Sequence, residues 1–500
     1  MRYLLVTTAL AGFALATSAS AQTSGAAKDL DLEALKAQIQ ALQARVQNLE
    51  AAAAKATPVD AAPVTTHAFA APTQVSASLA PAPLAAASTP AAASTQIRWE
   101  SSPRFTNAGG ATFKLRGRLL LDAVGVDVDP RTGASYRSRQ FRARQLFLGA
   151  EGQVGGWAYR LEGGAANGSG WSWDDAVIEY KLSSGTLLTV GNQKSASLEN
   201  LTSIKTITFM ERGPFGDLTD NGFVLAVQGT QVGRNWSLRG AIQGDSINKT
   251  DVSTGAYRAN DAKERLGGTV RATWAPLMTP TQVVHLGTWT RYRDAGGETG
   301  FTYSAAANTA YRPQTSAGGV LLSTGAVGAG DTTLGLEAAW ARRNLSLQGE
   351  IADIRVNRIA AAASAANGGD DFDIVTGYAS ASWFVTGEMR PYSAGGLFGR
   401  VKVISPLDKG GPGAYEVALR YDYADLSDLK ANAVAALSAQ PGLATAGTYN
   451  GVTLGLNWYP SSYVRLMANV TQARINNRPV GSVENDADVT VVQTRLQVEF

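Results

Sequence analysis

The chain has 500 residues, with 44 Lys and Arg against 41 Asp and Glu, a net charge of +3. That balance excludes a strongly basic nucleic-acid binder and a polyanionic tail, so no nucleic-acid partner is expected. Cysteine is absent and histidine occurs twice, which excludes disulfides, thiolate metal sites and multi-histidine centres.

The first 21 residues read as a secretory signal peptide. Met1-Arg2 is a basic start, Leu4 to Leu15 an apolar core, and Ala19-Ser20-Ala21 an A-x-A site, so cleavage is expected before Gln22. The apolar core is too short to span a bilayer. Over residues 22–55 the pattern predicts a coiled-coil helix. Leu32, Ile39 and Val46 take the a positions of a heptad, and Leu35, Leu42 and Leu49 the d positions. Such a seam associates, so residues 29–55 are expected to reach a periplasmic or cell-wall partner or other copies of the chain. Residues 56–96 carry Pro58, Pro63, Pro72, Pro81, Pro83 and Pro90 among Ala, Ser and Thr, the composition of a disordered linker.

From Ile97 to Phe500 the apolar residues alternate with period two. Val492, Thr494, Leu496, Val498 and Phe500 oppose Gln493, Arg495, Gln497 and Glu499. Phe113, Leu115, Leu119 and Leu121 oppose Lys114, Arg116, Arg118 and Asp122. These are strands with one apolar and one polar face. No later run is long enough for a membrane helix, and only helices and closed barrels satisfy their backbone groups in lipid. The fold class is therefore all-β, a transmembrane antiparallel β-barrel of about 16 strands, possibly 18. Strand-like segments number 17, one of them at 396–404, so an even barrel requires at least one to be something else. Tight turns such as Arg343-Asn344 alternate with long loops such as 294–330, 358–371 and 425–448, the rhythm of outer-membrane barrels. Trp157, Trp274, Tyr303, Trp340, Trp383, Trp458 and Tyr459 sit near strand ends, where interface girdles belong. A soluble sandwich or propeller explains the alternation but not the signal peptide or the loop rhythm. His285 shares a phase with Val283, Gly287 and Trp289, which predicts an outward, packing role. No catalytic residue and no cofactor are expected.

Several stretches resemble the phosphate-selective porin O/P family. They are Phe113-Lys114-Leu115-Arg116-Gly117-Arg118-Leu119, the spacing of Leu198-Glu199, Ser203, Phe209 and Glu211-Arg212, Val283-Val284-His285-Leu286-Gly287, Ala414 to Tyr421, Leu454 to Tyr459, and Thr494 to Phe500. The resemblance covers residues 105–500. It implies a 16-stranded homotrimeric barrel in outer-membrane lipid that takes up anions, with phosphate preferred, and a long loop folded into the lumen.

A pore selects by its bore and by the charges lining it. A phosphate shedding water there needs donors, and Arg offers a fork that matches two of its oxygens. The expected anion-binding residues are Lys114, Arg116 and Arg118 on one strand, Arg142 and Arg144 on the next, and Lys205, Arg212 and Ser203 in the non-alternating segment 194–220. Arg137 and Arg139 take the opposite phase to Arg142 and Arg144. By resemblance, Asp174 is a pore-lining carboxylate, while Glu199 and Glu211 anchor the infolded loop. Two departures predict a weaker phosphate preference: Asn200 stands where the family has a lysine after Glu199, and Gln145 where a second arginine would follow Arg144. Asp122, Glu162, Asp175, Glu179, Glu350 and Glu416 are further inward acids.

Overall fold

The computed structural model describes residues 95–131, 135–167, 170–248, 265–296, 300–311, 322–358, 371–429, 447–477 and 486–500. The expected signal peptide and coiled coil, and nearly all of the linker, lie outside them.

A hairpin comes first, β1 (Gln96–Trp99) and β2 (Pro103–Thr106). Nine strands follow: β3 (Thr112–Pro130), β4 (Tyr136–Val154), β5 (Trp157–Ala166), β6 (Trp171–Lys181), β7 (Leu187–Gln193), β8 (Val224–Val232), β9 (Trp236–Gln243), β10 (Leu266–Thr279) and β11 (Gln282–Asp294). Between β7 and β8 lie two short helices, α1 (Leu198–Leu201) and α2 (Gly213–Thr219). After the accessory β12 (Phe301–Ala305) come β13 (Leu322–Arg342), β14 (Leu345–Arg358) and β15 (Phe372–Phe384). A two-residue pair, β16 (Tyr392–Ser393) and β17 (Leu397–Phe398), precedes β18 (Ala414–Asp425), β19 (Gly447–Ser461), β20 (Val464–Asn477) and β21 (Ala487–Glu499).

Each strand from β3 onward pairs antiparallel with its neighbour, β11 pairs directly with β13 and β15 with β18, and β21 returns to β3 from Glu499↔Arg118 to Ala487↔Pro130. Leaving out β1, β2, β12 and the β16–β17 pair, sixteen strands close the barrel. Closure leaves the cylinder no free edge. Along β21, Val492 and Leu496 are exposed while Gln493, Arg495 and Gln497 are buried, the inverse of a soluble sheet with a wet outer face. At the seam the chain end is held by Phe500 N–H to Gly117 O (3.1 Å) and Gly117 N–H to Phe500 O (2.8 Å). Any Cβ at Gly117 would strike the Phe500 ring.

The interior corrects four expectations. The segment 396–404 is not a barrel strand; only Leu397–Phe398 is extended. It belongs to residues 385–413, which fold up from the short-turn end. Its apolar spacing serves packing, with Phe398 against Leu198, Ala275 and Val283, and Val401 against Phe384 and Tyr459. Tyr303 and Tyr459 are buried inward and take no part in a girdle. His285 also points inward, fully buried, with Nδ1 2.6 Å from Tyr392 Oη and Nε2 3.1 Å from Glu337. The shared phase of Val283, His285 and Trp289 was real, but that phase faces a filled interior. Finally, the lumen is not polar throughout. Near the long-loop end Val124, Val126, Ile354, Ile374, Ile475 and Val491 join an apolar core with Phe301 and Tyr303 of the infolded segment 300–311.

Trp289 shows how tightly this half is filled. It lies opposite Gly335 and packs on Phe215 and Ala196, and a Cβ at Gly335 would overlap its indole. Gly335→Val should lower unfolding stability by about 1–3 kcal/mol. Urea titration in detergent, followed by tryptophan fluorescence, would read this; an unchanged midpoint would contradict the packing.

Candidate functional site

Residues 194–223 leave the β7 end and turn inward instead of crossing directly to β8. The path is punctuated locally. Ser197, at φ 66°, caps α1 by accepting from Asn200 N–H (3.2 Å), and Pro214 sits in the first turn of α2. Gly213, at φ 67°, has Asn308 and Asp422 where a Cβ would go.

Inward side chains of one wall hold this segment. Glu350 on β14 accepts from Leu198 N–H (3.0 Å) and Glu199 N–H (2.7 Å). Arg420 on β18 ion-pairs with Glu199 and Asp422 and donates to Arg212 O. Arg465 on β20 donates to Ile207 O (2.7 Å), and Asn457 on β19 to Thr208 O (2.9 Å). Arg495 on β21 forks onto Asp122 (2.7 and 2.8 Å) and reaches Met210 O (2.6 Å) and Glu211 (2.6 Å). From the other side Arg144 on β4 forks onto Glu211 at 2.9 and 3.1 Å.

Between the segment and strands β3–β9 lies a cavity of about 610 Å³. Its lining holds seven cationic side chains, Arg116, Arg118, Arg144, Arg160, Lys194, Arg212 and Arg239, against five carboxylates, Glu162, Asp174, Asp175, Glu179 and Asp220. Two β-bulges raise the density of polar groups. Leu120↔Gln145 is followed by Leu121↔Ala143, which leaves Arg144 extra and turns Arg144 and Gln145 both inward. Leu161↔Ala176 is followed by Gly163↔Trp173, so Asp174 and Asp175 together oppose Glu162. Most of the cations are already engaged. Arg118 donates to Gln145 (2.7 Å), Glu162 and Asp174 and lies over the Phe147 ring. Arg116 meets Glu162 (2.6 Å) and Glu151 (3.0 Å), and Arg160 meets Asp175 (3.1 Å). Lys194 pairs with Asp220. Among the described residues Arg212 bonds only carbonyls, Glu199 O (3.1 Å) and Thr202 O (2.7 Å). Arg239 has no hydrogen bond or ion pair among the described residues. It stands opposite Arg271, whose own charge is met by Glu337 at 2.6 Å. Asn200 donates to Thr219 Oγ1 (2.9 Å), and its buried Oδ1 has no partner among the described residues.

Electrostatics in the infolded segment follow the same pairings. Burial pushes Glu211 up, but Arg144 and Arg495 outweigh it and hold the carboxyl at about 2. For Glu199 burial wins over Arg420, and the carboxyl sits above its ordinary value. Burial, with Arg116 nearby, lowers the Lys205 ammonium despite Glu162. Burial also lowers Lys194, against the pull of Asp220.

The expected anion-binding residues thus separate. Arg116, Arg118, Arg144, Asp174, Ser203 and Arg212 line one cavity. Lys205 is turned toward Glu162 (3.4 Å), outside the lining. Lys114 pairs with Glu100 (3.4 Å) beside the β1–β2 hairpin. Arg142 sits under segment 300–311, against Ala310 O (3.2 Å) and the Tyr311 ring. Arg137 and Arg139 are exposed at the long-loop end, Arg139 paired with Asp127. Arg160 and Arg239 were missed, although the alternation held the signal: Arg239 shares the phase of Ser237 and Ala241, opposite Trp236, Leu238 and Ile242.

A closed barrel with a lipid-facing outside and an ion-lined cavity defines a porin. The family model "Phosphate-selective porin O and P" matches residues 113–500, and the chain belongs to that family. It is an outer-membrane porin of an anion-passing family, a channel by fold and by family. Among curated relatives, Porin O of Pseudomonas aeruginosa is 26% identical over 413 residues, covering 78% of this chain and 88% of that protein. An uncharacterized protein of Caulobacter vibrioides is 29% identical over 419 residues, covering 82% and 78%. Among solved structures, the anion-selective porin of Comamonas acidovorans aligns with 78% of this chain and 100% of its own, at 14% identity and a TM-score of 0.44.

Glu211 gives a pH prediction. Its carboxyl is depressed from 4.5 to about 2, so the stability its ion pairs contribute is fully present above about pH 4.5 and is lost as pH falls toward 2. Open-channel current noise in planar bilayers should stay low to about pH 4.5 and rise below it. Glu211→Gln, which leaves Arg144 and Arg495 underpaired at a cost of about 3–5 kcal/mol, should be noisy already at neutral pH. A quiet Glu211→Gln channel would contradict the anchoring.

Proposed function

We propose that the protein lets small anions, phosphate among them, diffuse passively across the outer membrane along the β3–β9 wall, with segment 194–223 as the constriction. The observation that carries this reading is the excess of cations in the cavity lining, concentrated in two guanidinium groups that no carboxylate of the described residues occupies, Arg212 and Arg239. An anion entering a narrow bore sheds water and needs donors in return. Arg239 offers a free fork, and Ser203 is a neutral neighbour in the same lining. Arg116, Arg118 and Arg144 act mainly through the field, because Glu151, Glu162, Asp174 and Glu211 already take their donors.

That engagement supports weak retention of phosphate. A dianion competes with carboxylates for each fork, and Asn200 supplies an amide where a lysine would add charge. The family description favours phosphate; the five lining carboxylates favour a broader range of small anions, organic acids included. Assembly as a homotrimer, and tethering through residues 29–55, belong to the same proposal.

Reversal potentials in a KCl gradient test it. The wild-type channel should prefer chloride over potassium. Arg239→Glu changes the local charge by two units and should lower the anion-to-cation permeability ratio by roughly fivefold or more, as about 0.5–1 kcal/mol per charge in a hydrated bore implies. Cation preference in the wild type would refute the reading, and an unaltered ratio in Arg239→Glu would remove Arg239 from the ion path.

A further inference from the structure

No residue of the β1–β2 hairpin lines the cavity, yet the hairpin is built into the barrel wall. β21 ends opposite Arg118, with Phe500 bonded to Gly117, whereas β3 begins at Thr112. The first residues of β3 therefore overhang the end of β21. β2 fills the overhang through Arg104↔Lys114, Phe105↔Phe113 and Thr106↔Thr112, and β1 adds the pairs Gln96↔Thr106 to Trp99↔Pro103. Ser102 Oγ donates to Leu115 O (2.5 Å) and fixes the hairpin on β3.

The two faces of this extension differ. The inward phase carries Arg98, Arg104 and Lys114, with Glu100 and Glu151 beside Arg104 and Lys114. The outward phase is apolar. Ile97, Phe105 and Phe113 form one cross-strand row, with the Phe105 and Phe113 rings 6.2 Å apart. Trp99 lies one row higher, level with Leu115. It is 75% exposed and Ile97 55%, although both continue the lipid-facing surface of β3.

Height decides what meets them. The outward positions of β3 run apolar from Phe113 and turn charged at Asp127. A lipid-facing band is about 25 Å tall, and a strand tilted by about 40° climbs about 2.5 Å per residue, so the band takes about ten residues. Counted down from Asp127, it ends near Gly117, under the Phe500 ring. Leu115, on whose cross-strand row Trp99 lies, then sits about 5 Å below that edge, and Trp99, two strands over in the tilted sheet, lies within about 6 Å of that height. This is the headgroup–acyl boundary, where tryptophan with its apolar body and N–H tip is favoured. On the same side of the barrel Trp157 packs against Tyr180 (4.6 Å) beside a short turn, and is 57% exposed.

We propose that the β1–β2 hairpin is a lipid anchor, with Trp99 and Ile97 inserted in the phospholipid headgroup boundary of the periplasmic leaflet. It fixes the height of the overhanging β3 end, and it holds the point at which the chain enters the barrel against the membrane.

The absence of cysteine makes the test direct, because Trp99→Cys creates the sole thiol. The full mature chain, labelled there with a bimane and reconstituted in phosphatidylethanolamine–phosphatidylglycerol vesicles, is exposed to lipids carrying a nitroxide near the headgroup and to aqueous iodide. Ser183→Cys, in an exposed short turn, is the aqueous reference. Heat-modified gel mobility verifies folding of each variant. The expected result is strong quenching by the shallow nitroxide, with iodide at least threefold less effective than at Ser183. Iodide quenching equal to that at Ser183 would overturn the anchor. So would crosslinking of Trp99→Cys between copies by a short bis-maleimide, which would make this face a subunit contact.

Discussion

Charged groups taken out of water must be met by partners, and this barrel is organised by that requirement. Arg271, Arg291, Arg420 and Arg495 are among its largest fully buried side chains, and all project inward from the wall. In an empty polar bore water would solvate them. Here Asp122, Glu199, Asp331, Glu337 and Asp422, with the carbonyls of Met210, Arg212 and Thr219, meet them instead. Because a single missing partner leaves a desolvated charge costing several kcal/mol, the infolded segment and the wall specify one another. The backbone N–H groups of Leu198 and Glu199, closed onto Glu350, apply the same logic to an acid.

The consequence is lopsided. Arginines of β11, β18, β20 and β21 bind the segment to their side, while segments 300–311 and 385–413 and an apolar core fill that half from both ends. The open cavity is left against β3–β9. There the guanidinium groups lie among carboxylates, an arrangement suited to many moderate contacts and not to one tight site, as a conducting pore requires. Arg239 stands opposite Arg271, and Glu337 is already occupied by Arg271 and His285.

The fold was legible because membrane strands repeat every two residues and lipid enforces the repeat on every strand. The same rule misled at 396–404 and at His285. Alternation reports which side of a backbone is apolar, and it does not separate lipid from a packed interior. Val283 and Trp289 are large and apolar on the inner face because Phe398 and Phe215 cover them. The bulges hid a second layer. Pure alternation sends Gln145 outward and separates Asp174 from Asp175, and one inserted residue in each strand reverses this. The inward phase of Arg116 and Arg118 could be read from β3 alone. Their carboxylate partners could not, since Glu162 and Asp174 come from two other strands and pairing depends on register.

The central claim is that ions travel on one side only, between segment 194–223 and β3–β9. Scanning single cysteines in this cysteine-free chain with a charged methanethiosulfonate while recording current tests it most directly. Thr189→Cys and Thr230→Cys should react within seconds and reduce conductance, whereas Asn469→Cys and Thr471→Cys, behind the segment, should remain unreactive. Rapid block at Asn469 and Thr471, with no effect at Thr189 and Thr230, would contradict the account.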